Sequence, residues 1–216
     1  MRYALIVFDW DGTLLDSTAA IGECIRHAAR ELGLPVPDPA RARHVIGLGL
    51  QDSLRLAVPE LPAERTTEFV ESYRREFRVR EERMRLFPGV VDLLAELRSR
   101  GHVLAVATGK SRRGLERALD ATGLRSYFSA SRCADETTPK PDPAMLHELM
   151  RMLDAPREQA LMIGDTSHDL QMASAAGVDA VAVSYGAHAE HGLRALEPRA
   201  CVASIEELRR WLTTHA

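Results

Sequence analysis

Lysine is nearly absent from this 216-residue chain, which carries its basic charge almost entirely as arginine. Lys110 and Lys140 are the only two lysines, so a lysine at a defined position is more informative here than an arginine. The formal net charge is −3, which provides no positive field to attract nucleic acid or an anionic membrane. We therefore expect neither of them as a partner.

Paired cysteines and long apolar runs are missing as well. Cys24, Cys133 and Cys201 stand singly, a pattern that favours buried thiols in a reducing compartment over a disulfide framework or a zinc site. The apolar stretch at residues 3–8 is too short for a signal-peptide core or a membrane span. With 45% apolar and 27% charged residues, the composition is typical of a soluble globular protein, and we expect it in the cytoplasm.

Short apolar runs alternate with helical patterns along most of the chain. The runs that predict strands are Tyr3–Phe8, Val103–Thr108, Leu161–Gly164 and Ala180–Tyr185. Such alternation predicts an α/β fold whose core is a doubly wound, Rossmann-like parallel sheet. Because ligands bind outside the carboxyl ends of the strands in these sheets, Asp9, Thr108 and Asp165 are expected to share one site.

The strand signal disappears over residues 17–86. Within this segment, Ile21–Leu32 and Glu64–Arg83 show the pattern of helices with one apolar face. The sequence therefore predicts a small helical cap domain, residues 17–86, inserted into a catalytic core formed by residues 1–16 and 87–216. The two chain crossings at its edges predict a hinge.

Two carboxylates follow the first predicted strand, in the run Asp9-Trp10-Asp11-Gly12-Thr13. Asp9 and Asp11 project to the same side, because side chains of an extended chain repeat with a period of two. Such a pair resists double ionisation unless a cation neutralises it or one member keeps a proton. One carboxylate could attack phosphorus while the other transfers protons, and Gly12 would let the backbone approach phosphate oxygens. An ordinary Asp-Gly turn explains the same residues about equally well.

Further along the chain, two positions offer phosphate contacts. Thr108 and Gly109 could supply a hydroxyl and an unobstructed N–H to a phosphate oxygen, although a turn or helix cap is the commoner explanation of such a pair. Lys140 precedes Pro141-Asp142-Pro143, which predicts an extended lysine at a helix start. In a chain so poor in lysine, this favours a functional point charge over a solvated side chain.

Asp165 and Asp169 follow another apolar run and lie at the start of a predicted helix. Magnesium prefers a few oxygen ligands together with water and substrate phosphate, so Asp165 beside Asp9 would supply part of its shell. Asp169 could be a further ligand, orient the site, or only place negative charge at a helix N-terminus. His168 is expected to be an exposed residue of the first helical turn rather than a catalytic base.

Taken together and in this order, the four motifs resemble those of the haloacid dehalogenase-like hydrolase superfamily. The resemblance covers D-x-D-G-T at residues 9–13, the strand-end Thr108, Lys140, and G-D-x-x-x-D at residues 164–169. It implies Asp9 as nucleophile and Asp11 as general acid and base, with Thr108 and Lys140 holding the phosphoryl group. The helical insert resembles the cap of the branch that contains phosphoglycolate phosphatases.

The same resemblance implies a magnesium cofactor. Its ligands would be Asp9, Asp165 and the backbone carbonyl of Asp11, with Asp169 supporting the site. The resemblance thus predicts a magnesium-dependent phosphatase that forms an aspartyl-phosphate and acts on a small-molecule phosphate ester.

Several relatives of this superfamily fit the sequence less well. Dehalogenases lack the second aspartate of the first motif, and phosphonoacetaldehyde hydrolases carry Ala where Asp11 stands and use a cap lysine. No lysine lies in residues 17–86. β-Phosphoglucomutase relatives carry a histidine shortly after the first motif, where Ile21 and Gly22 stand here. A mutase is therefore disfavoured.

The substrate stays open at this stage. Phosphoglycolate is the first candidate on resemblance alone, and inorganic pyrophosphate, nucleoside monophosphates and sugar phosphates are alternatives. A receiver-like phosphoacceptor module also combines acidic residues, a strand-end Ser or Thr and a lysine, but Asp11 and the cap argue against it. The sequence does not distinguish a monomer from a homodimer.

One segment of the insert, residues 44–49, is the best candidate for a loop that reaches the site, because Gly47 and Gly49 permit close approach. A helix-helix turn explains it equally well. Ile46, Gly47 and Arg43 are the predicted specificity residues. The arginines that could bind a substrate carboxylate are Arg41, Arg43 and Arg55.

Overall fold

A computed structural model describes residues 2–216. In chain order its strands are β1 (Leu5–Phe8), β2 (Leu15–Asp16), β3 (Arg85–Leu86), β4 (Val103–Thr108), β5 (Ala130–Cys133), β6 (Ala160–Gly164), β7 (Asp179–Val183) and β8 (Ala200–Val202). Six of them form one parallel sheet in the order β5-β4-β1-β6-β7-β8, whereas β2 and β3 pair antiparallel with each other.

Helices fill most of the remaining chain. They are α1 (Thr18–Glu31), α2 (Pro39–His44), α3 (Leu50–Ala57), α4 (Thr66–Glu81), α5 (Val90–Ser99), α6 (Arg112–Thr122), α7 (Ala144–Met152), α8 (Ser167–Ala176), α9 (Glu190–Arg194) and α10 (Ile205–His215). Short 3₁₀ turns cover Ala63–Arg65, Arg125–Tyr127 and Arg157–Gln159.

Apolar side chains cover both faces of the parallel sheet. Along β1, Ile6 and Phe8 face a cluster that includes α5, α6 and α10, whereas Leu5 and Val7 face a cluster with α7 and α8. A strand buried on both faces needs a continuous apolar run, which is why β1 has no polar residue. The predicted α/β fold with a doubly wound parallel-sheet core is confirmed.

The sequence patterns found the central strands and missed the edges of the sheet. β5 and β8 were not predicted, because an edge strand pairs on one side only and needs fewer apolar residues. β5 reads Ala-Ser-Arg-Cys, and only Cys133 of its four residues is buried. The two-residue strands β2 and β3 are too short to give any periodic signal.

The segment from α1 to α4 has an apolar cluster of its own. Members of this cluster include Ile21 and Ile25 on α1, Leu54 on α3, and Phe69 and Phe77 on α4. The pair β2–β3 lies at its base, with Leu15 opposite Leu86. We call α1 to α4 the cap hereafter. That residues 17–86 form a separate domain with a hinge stays a prediction. Within residues 2–216, no helix combines the length and apolar character that a membrane span requires.

Candidate active site

The register of the sheet brings three distant residues to one edge. Phe8 of β1 lies opposite Val106 of β4 and Ile163 of β6. All three strands are parallel, so their carboxyl ends meet at the same edge. Asp9, Thr108 and Asp165 therefore lie close together there, and all three are almost fully buried.

Lys140 joins two of the acidic motifs. Its ammonium nitrogen lies 2.6 Å from Oδ1 of Asp9 and 2.6 Å from Oδ1 of Asp169, and the side chain is fully buried. Burial alone would lower the pKa of Lys140, but the charges of Asp169 and Asp9 raise it above its usual value. The sequence predicted a lysine aimed from a helix start, and the structure places it as an ion-pair bridge beneath the site.

Asp9 is the least satisfied carboxylate of the group. Its Oδ1 accepts from Lys140, whereas its Oδ2 is buried and has no hydrogen-bond partner in the described chain. Burial raises the pKa of Asp9 to about 7, against the opposing charge of Lys140. A buried oxygen without a partner is destabilising unless a ligand or ion binds it. This oxygen is available for a phosphorus atom or a cation.

The other two buried carboxylates are held by neighbouring donors. Asp165 accepts from the hydroxyl of Thr13 at 2.9 Å and from the backbone N–H of Ala187 at 2.7 Å. Asp169 accepts from the N–H and the hydroxyl of Thr166 in a capping box that starts α8. Burial and the charge of Asp9 raise the pKa of Asp165 well above its usual value.

Gly12 allows the chain to turn directly after the two aspartates. Its φ is +87°, a conformation that favours glycine. A Cβ at this position would lie 2.1 Å from Oδ2 of Asp165. The sharp turn continues with hydrogen bonds from the N–H groups of Leu14 and Leu15 to the carbonyl of Trp10. The first motif thus packs against the last acidic motif.

Asp11 lines the same cavity as Asp9, while the side chain of Trp10 between them packs into the apolar core. Oδ1 of Asp11 accepts from the hydroxyl of Ser17 at 2.7 Å, and its Oδ2 lies 3.0 Å from the ammonium nitrogen of Lys110. Sequence reasoning missed both of these partners as site residues. The scarcity of lysine was a usable signal, because both lysines of the chain lie at this site.

The cap loop of residues 45–49 reaches the core. A Cβ on Gly109 would lie 2.5 Å from the carbonyl oxygen of Leu48 and 2.6 Å from that of Gly47. Gly47, with φ of +93°, lies against Thr166 at the start of α8. Only a residue without a side chain allows this contact at position 109, so Gly109 sets how closely the cap loop approaches Thr108.

We expect Gly109→Ala to displace this loop and to lower kcat/KM for a phosphate ester roughly tenfold to hundredfold, because a displacement near 1 Å is enough for such a loss. Faster amide exchange at residues 45–49 should accompany the loss. Gly22→Ala is the control, since its Cβ would make only an ordinary contact of 3.7 Å with Arg43. A Gly109→Ala enzyme with wild-type exchange in the loop would show that the contact is not tight in solution.

A cavity of about 500 Å³ opens between the cap and the carboxyl edge of the sheet. Of the predicted specificity residues, Ile46 and Gly47 line it, but Arg43 does not. Arg43 donates to the carbonyl of Gly186, Arg41 donates to that of Leu56, and Arg55 pairs with Asp52 on the surface. The arginines that do line the cavity, which the sequence reasoning missed, are Arg74, Arg78, Arg113 and Arg117.

His168 is buried, so the expectation of an exposed residue was wrong. Its Nε2 lies 2.9 Å from the carbonyl oxygen of His44 at the end of α2, and Nε2 of His188 lies 3.0 Å from the same oxygen. The rings of His44 and His188 stack with centroids 4.8 Å apart. Burial lowers the pKa of His168 below its usual value. A first-turn residue became buried because the cap packs over the start of α8.

The charges at this edge fit a divalent cation. Four carboxylates, Asp9, Asp11, Asp165 and Asp169, meet at this edge, and within residues 2–216 their cationic partners are Lys110 and Lys140. When all four are ionised, negative charge is in excess. Oxygens of Asp9, Asp165 and Asp169 lie within 4.8 Å of one another. An all-oxygen set with excess negative charge is the chemistry that Mg²⁺ prefers.

Comparison with known proteins agrees with this geometry. The model of the family described as "Haloacid dehalogenase-like hydrolase" matches residues 6–183, a span that contains all four motifs. The chain belongs to the haloacid dehalogenase-like hydrolase family. This hydrolase is 39% identical over 210 residues to IndB of Dickeya dadantii, which is named a probable phosphatase; the match covers 94% of this chain and 91% of that protein.

Other relatives of this hydrolase carry more specific names. It is 34% identical over 217 residues to a 5'-nucleotidase of Pseudomonas aeruginosa, covering 100% of this chain and 98% of that protein. It is 33% identical over 214 residues to a phosphoglycolate phosphatase of Pseudomonas savastanoi, and the match covers 95% of this chain and 77% of that protein. A tyrosine-protein kinase, PtkA of Mycobacterium tuberculosis, is 36% identical over 185 residues, which cover 84% of this chain but 62% of that protein.

Solved structures share the fold of this hydrolase. A haloacid dehalogenase-like family hydrolase of Streptococcus pneumoniae superposes with a TM-score of 0.83 at 26% identity, covering 98% of this chain and 99% of that one. The matches confirm the predicted family, in the branch that contains phosphoglycolate phosphatases, and they confirm the prediction of a phosphatase-type hydrolase.

Proposed function

We propose that this hydrolase is a magnesium-dependent phosphatase that transfers the phosphoryl group of a small phosphate monoester to Asp9 and then to water. One observation carries the proposal: the buried Oδ2 of Asp9 has no partner and lies beside the cavity into which Asp11 projects. A carboxylate oxygen that accepts no hydrogen bond keeps its nucleophilic electron pair available. The neighbouring acid can then transfer protons.

In the first step, an oxygen of Asp9 forms a bond to phosphorus while the ester P–O bond breaks. Asp11 enters this step protonated and gives its proton to the leaving oxygen, so the leaving group departs as a neutral alcohol. Ser17 and Lys110 hold the Asp11 carboxyl at the cavity wall, which fixes its position relative to the leaving oxygen. Thr108 lines the same cavity, and its hydroxyl would donate to an oxygen of the transferring group.

In the second step, a water oxygen attacks phosphorus and the bond between Asp9 and phosphorus breaks. Asp11, now ionised, takes the proton of this water, and phosphate leaves with Asp9 regenerated. Lys140 faces Asp9 throughout and holds it in place through the 2.6 Å ion pair. The cap loop at Gly47 and Leu48 lies against Gly109, so bulk water is kept from the adduct while the cap is closed.

The residues that would hold Mg²⁺ are Asp9 and Asp165, with the backbone carbonyl of Asp11. When bound, the ion supplies positive charge that neutralises the aspartates and offsets negative charge on the phosphoryl oxygens. Asp169 would support the site, because its Oδ1 already pairs with the Lys140 ammonium and its Oδ2 accepts from Thr166, whereas Asp165 accepts only from the neutral donors of Thr13 and Ala187. This arrangement favours the supporting role over direct ligation for Asp169.

The substrate we propose is a small-molecule phosphate monoester. Relatives named for phosphoglycolate and for 5'-nucleotides make these two esters the first candidates for this chain. The kinase-named relative raises phosphotransfer to a protein as an alternative, but its match leaves more than a third of that protein uncovered. The cytoplasm stays the predicted location, and the choice between monomer and homodimer stays open.

The deciding experiment measures phosphate release from a panel of phosphate monoesters by the purified protein with Mg²⁺. We expect many turnovers per enzyme, and acid quenching should trap label from a radioactive ester on Asp9. A receiver-like module would take up phosphate without repeated release, and a non-catalytic protein would release none. Either of those results would overturn the proposal.

Magnesium should also stabilise the folded protein. We expect MgCl₂ to raise the free energy of unfolding by about 2.7 kcal/mol at 100 times its Kd, because the ion binds the folded state only. Thermal unfolding in MgCl₂, compared with KCl at equal ionic strength, measures this effect. Asp165→Asn should lose most of it. Equal stability in the two salts would contradict a magnesium site here.

A further inference from the structure

Two stripes of side chains run along the face of α4 that borders the cavity. Tyr73 and Phe77 lie one helical turn apart, and so do Arg74 and Arg78, and all four line the cavity. Residues four apart lie one above the other on a helix. The cap therefore presents an aromatic stripe and a cationic stripe side by side to whatever occupies the space above Asp9.

The aromatic stripe belongs to a larger apolar wall. Tyr73 and Phe77 stack with ring centroids 5.9 Å apart. The ammonium nitrogen of Lys110 lies over the Phe77 ring, 4.8 Å from its centroid. Further apolar residues of the cap complete the wall, among them Ile21, Ile25, Leu50 and Leu54. Such a surface gains free energy by burying an apolar, preferably planar, group.

The cationic stripe has no internal partner. Within residues 2–216, the side chains of Arg74 and Arg78 form no ion pair and no hydrogen bond, in contrast to their neighbour Arg75, which pairs with Glu31. Across the cavity, Arg113 of α6 is equally without a partner, whereas Arg117 pairs with Glu81. Three guanidinium groups with free donors thus surround the mouth of one cavity, and carboxylate or phosphate is the group that they bind best.

Carboxylates of the protein itself do not satisfy these arginines. Asp135 is the one further acidic residue on the cavity wall, and it accepts from the backbone N–H of Arg112. Asp9 and Asp11 pair with Lys140 and Lys110 and not with these arginines. An arginine side chain on a protein surface is ordinarily solvated. Three arginines without partners that line one cavity, however, form an anion-binding arrangement.

The cavity is also larger than phosphoglycolate requires. Water occupies about 30 Å³ per molecule, so about 500 Å³ exceeds the volume of a phosphoryl group joined to a two-carbon acid. Cavities of several hundred Å³ are typical of ligands of drug size. The apolar side chains that line this volume would be covered best by an apolar group.

Resting on the proposed phosphatase function, we propose that the substrate is a phosphate monoester with an apolar, planar body and a second anionic group. The apolar body would lie against Tyr73 and Phe77. The second anion would bind Arg74 and Arg78, with Arg113 opposite. These residues determine specificity for the leaving group and take no part in the bonds that break or form.

Two aryl phosphates of nearly equal shape test this inference: phenyl phosphate and 4-carboxyphenyl phosphate, with phosphoglycolate as the small anionic ester. We expect the wild-type enzyme to have the highest kcat/KM for the carboxylated aryl ester and the lowest for phosphoglycolate. In Arg74→Gln/Arg78→Gln, the ratio of kcat/KM between the carboxylated and the plain aryl ester should fall roughly tenfold to hundredfold, because a charge-assisted pair is lost. KM should carry most of the change.

Arg75→Gln is the matched control, because it removes an arginine of the same helix that points away from the cavity to Glu31. It should keep the wild-type ratio. Preference of the wild-type enzyme for phosphoglycolate, or an unchanged ratio in the double variant, would overturn this inference while leaving the phosphatase proposal intact. Failure to hydrolyse any of the three esters, or the wider panel, would instead remove the phosphatase proposal and this inference with it.

Discussion

Asp9→Asn is expected to abolish phosphate release, with a loss on the order of 10⁴-fold or more in kcat, because it removes the proposed nucleophile that forms the covalent bond to phosphorus. The fold should survive the change. Asn is close in shape to Asp, and its amide removes one of the negative charges that crowd this buried site. Phosphate release and thermal unfolding, measured on the same preparation, check both parts.

Asp92→Asn serves as the control for Asp9→Asn, since Asp92 is exposed in the first turn of α5. It should retain wild-type turnover. The radioactive adduct that acid traps in the wild type should be missing from Asp9→Asn and present in the control. An Asp9→Asn enzyme with near-normal turnover would refute the assignment of the nucleophile.

Lys140→Met is expected to destabilise the protein by about 3–5 kcal/mol, the usual effect of removing one partner from a buried ion pair. Lys140 is the only cation within contact of Asp9 and Asp169 in the described chain, and all three side chains are almost fully buried. At this chain length the melting temperature should fall by roughly 6–20 °C. Turnover should be lost too, because Asp9 is no longer held in position.

A second substitution shows how much of the stability lost in Lys140→Met comes from uncompensated charge and how much from altered packing. In Lys140→Met/Asp169→Asn one of the uncompensated carboxylates is gone, so part of the lost stability should return. Added Mg²⁺ should restore part of the stability of the single variant for the same electrostatic reason. Lys110→Met, which changes the chain's other lysine, should destabilise less because Lys110 pairs only with Asp11 and is partly exposed. A double variant less stable than Lys140→Met would rule out charge as the cause.

The sequence predicted strands best where the strand is buried on both faces and hydrogen-bonded along both edges. β1 is buried on both faces and bonded on both edges, so its run of apolar residues ends abruptly at Asp9. The same constraint applies to β6 before Asp165. Edge strand β5, by contrast, has little to bury and gave no usable pattern. The sequence pattern of a strand was strong where the strand is buried, whether or not its residues take part in function.

The cap residues show why specificity was harder to infer than chemistry. Arg43 was a predicted specificity residue because an arginine can bind a substrate carboxylate, yet its side chain donates to the carbonyl of Gly186. Arg74 and Arg78 lie about 30 residues further on, in a helix with many arginines. Their common face was readable from the spacing of four, but which face of α4 meets the cavity depends on how α4 packs against α1.

The amino-acid sequence by itself determined the family, the parallel-sheet core, and the types and order of the residues at the carboxyl edge, because these follow from local patterns and short motifs. Only the tertiary structure decided that Lys140 bridges Asp9 and Asp169, that Lys110 holds Asp11, and that α4 faces the cavity. Each of these contacts joins elements far apart along the chain. Their distances are set by how the cap and the sheet pack, which no local pattern encodes.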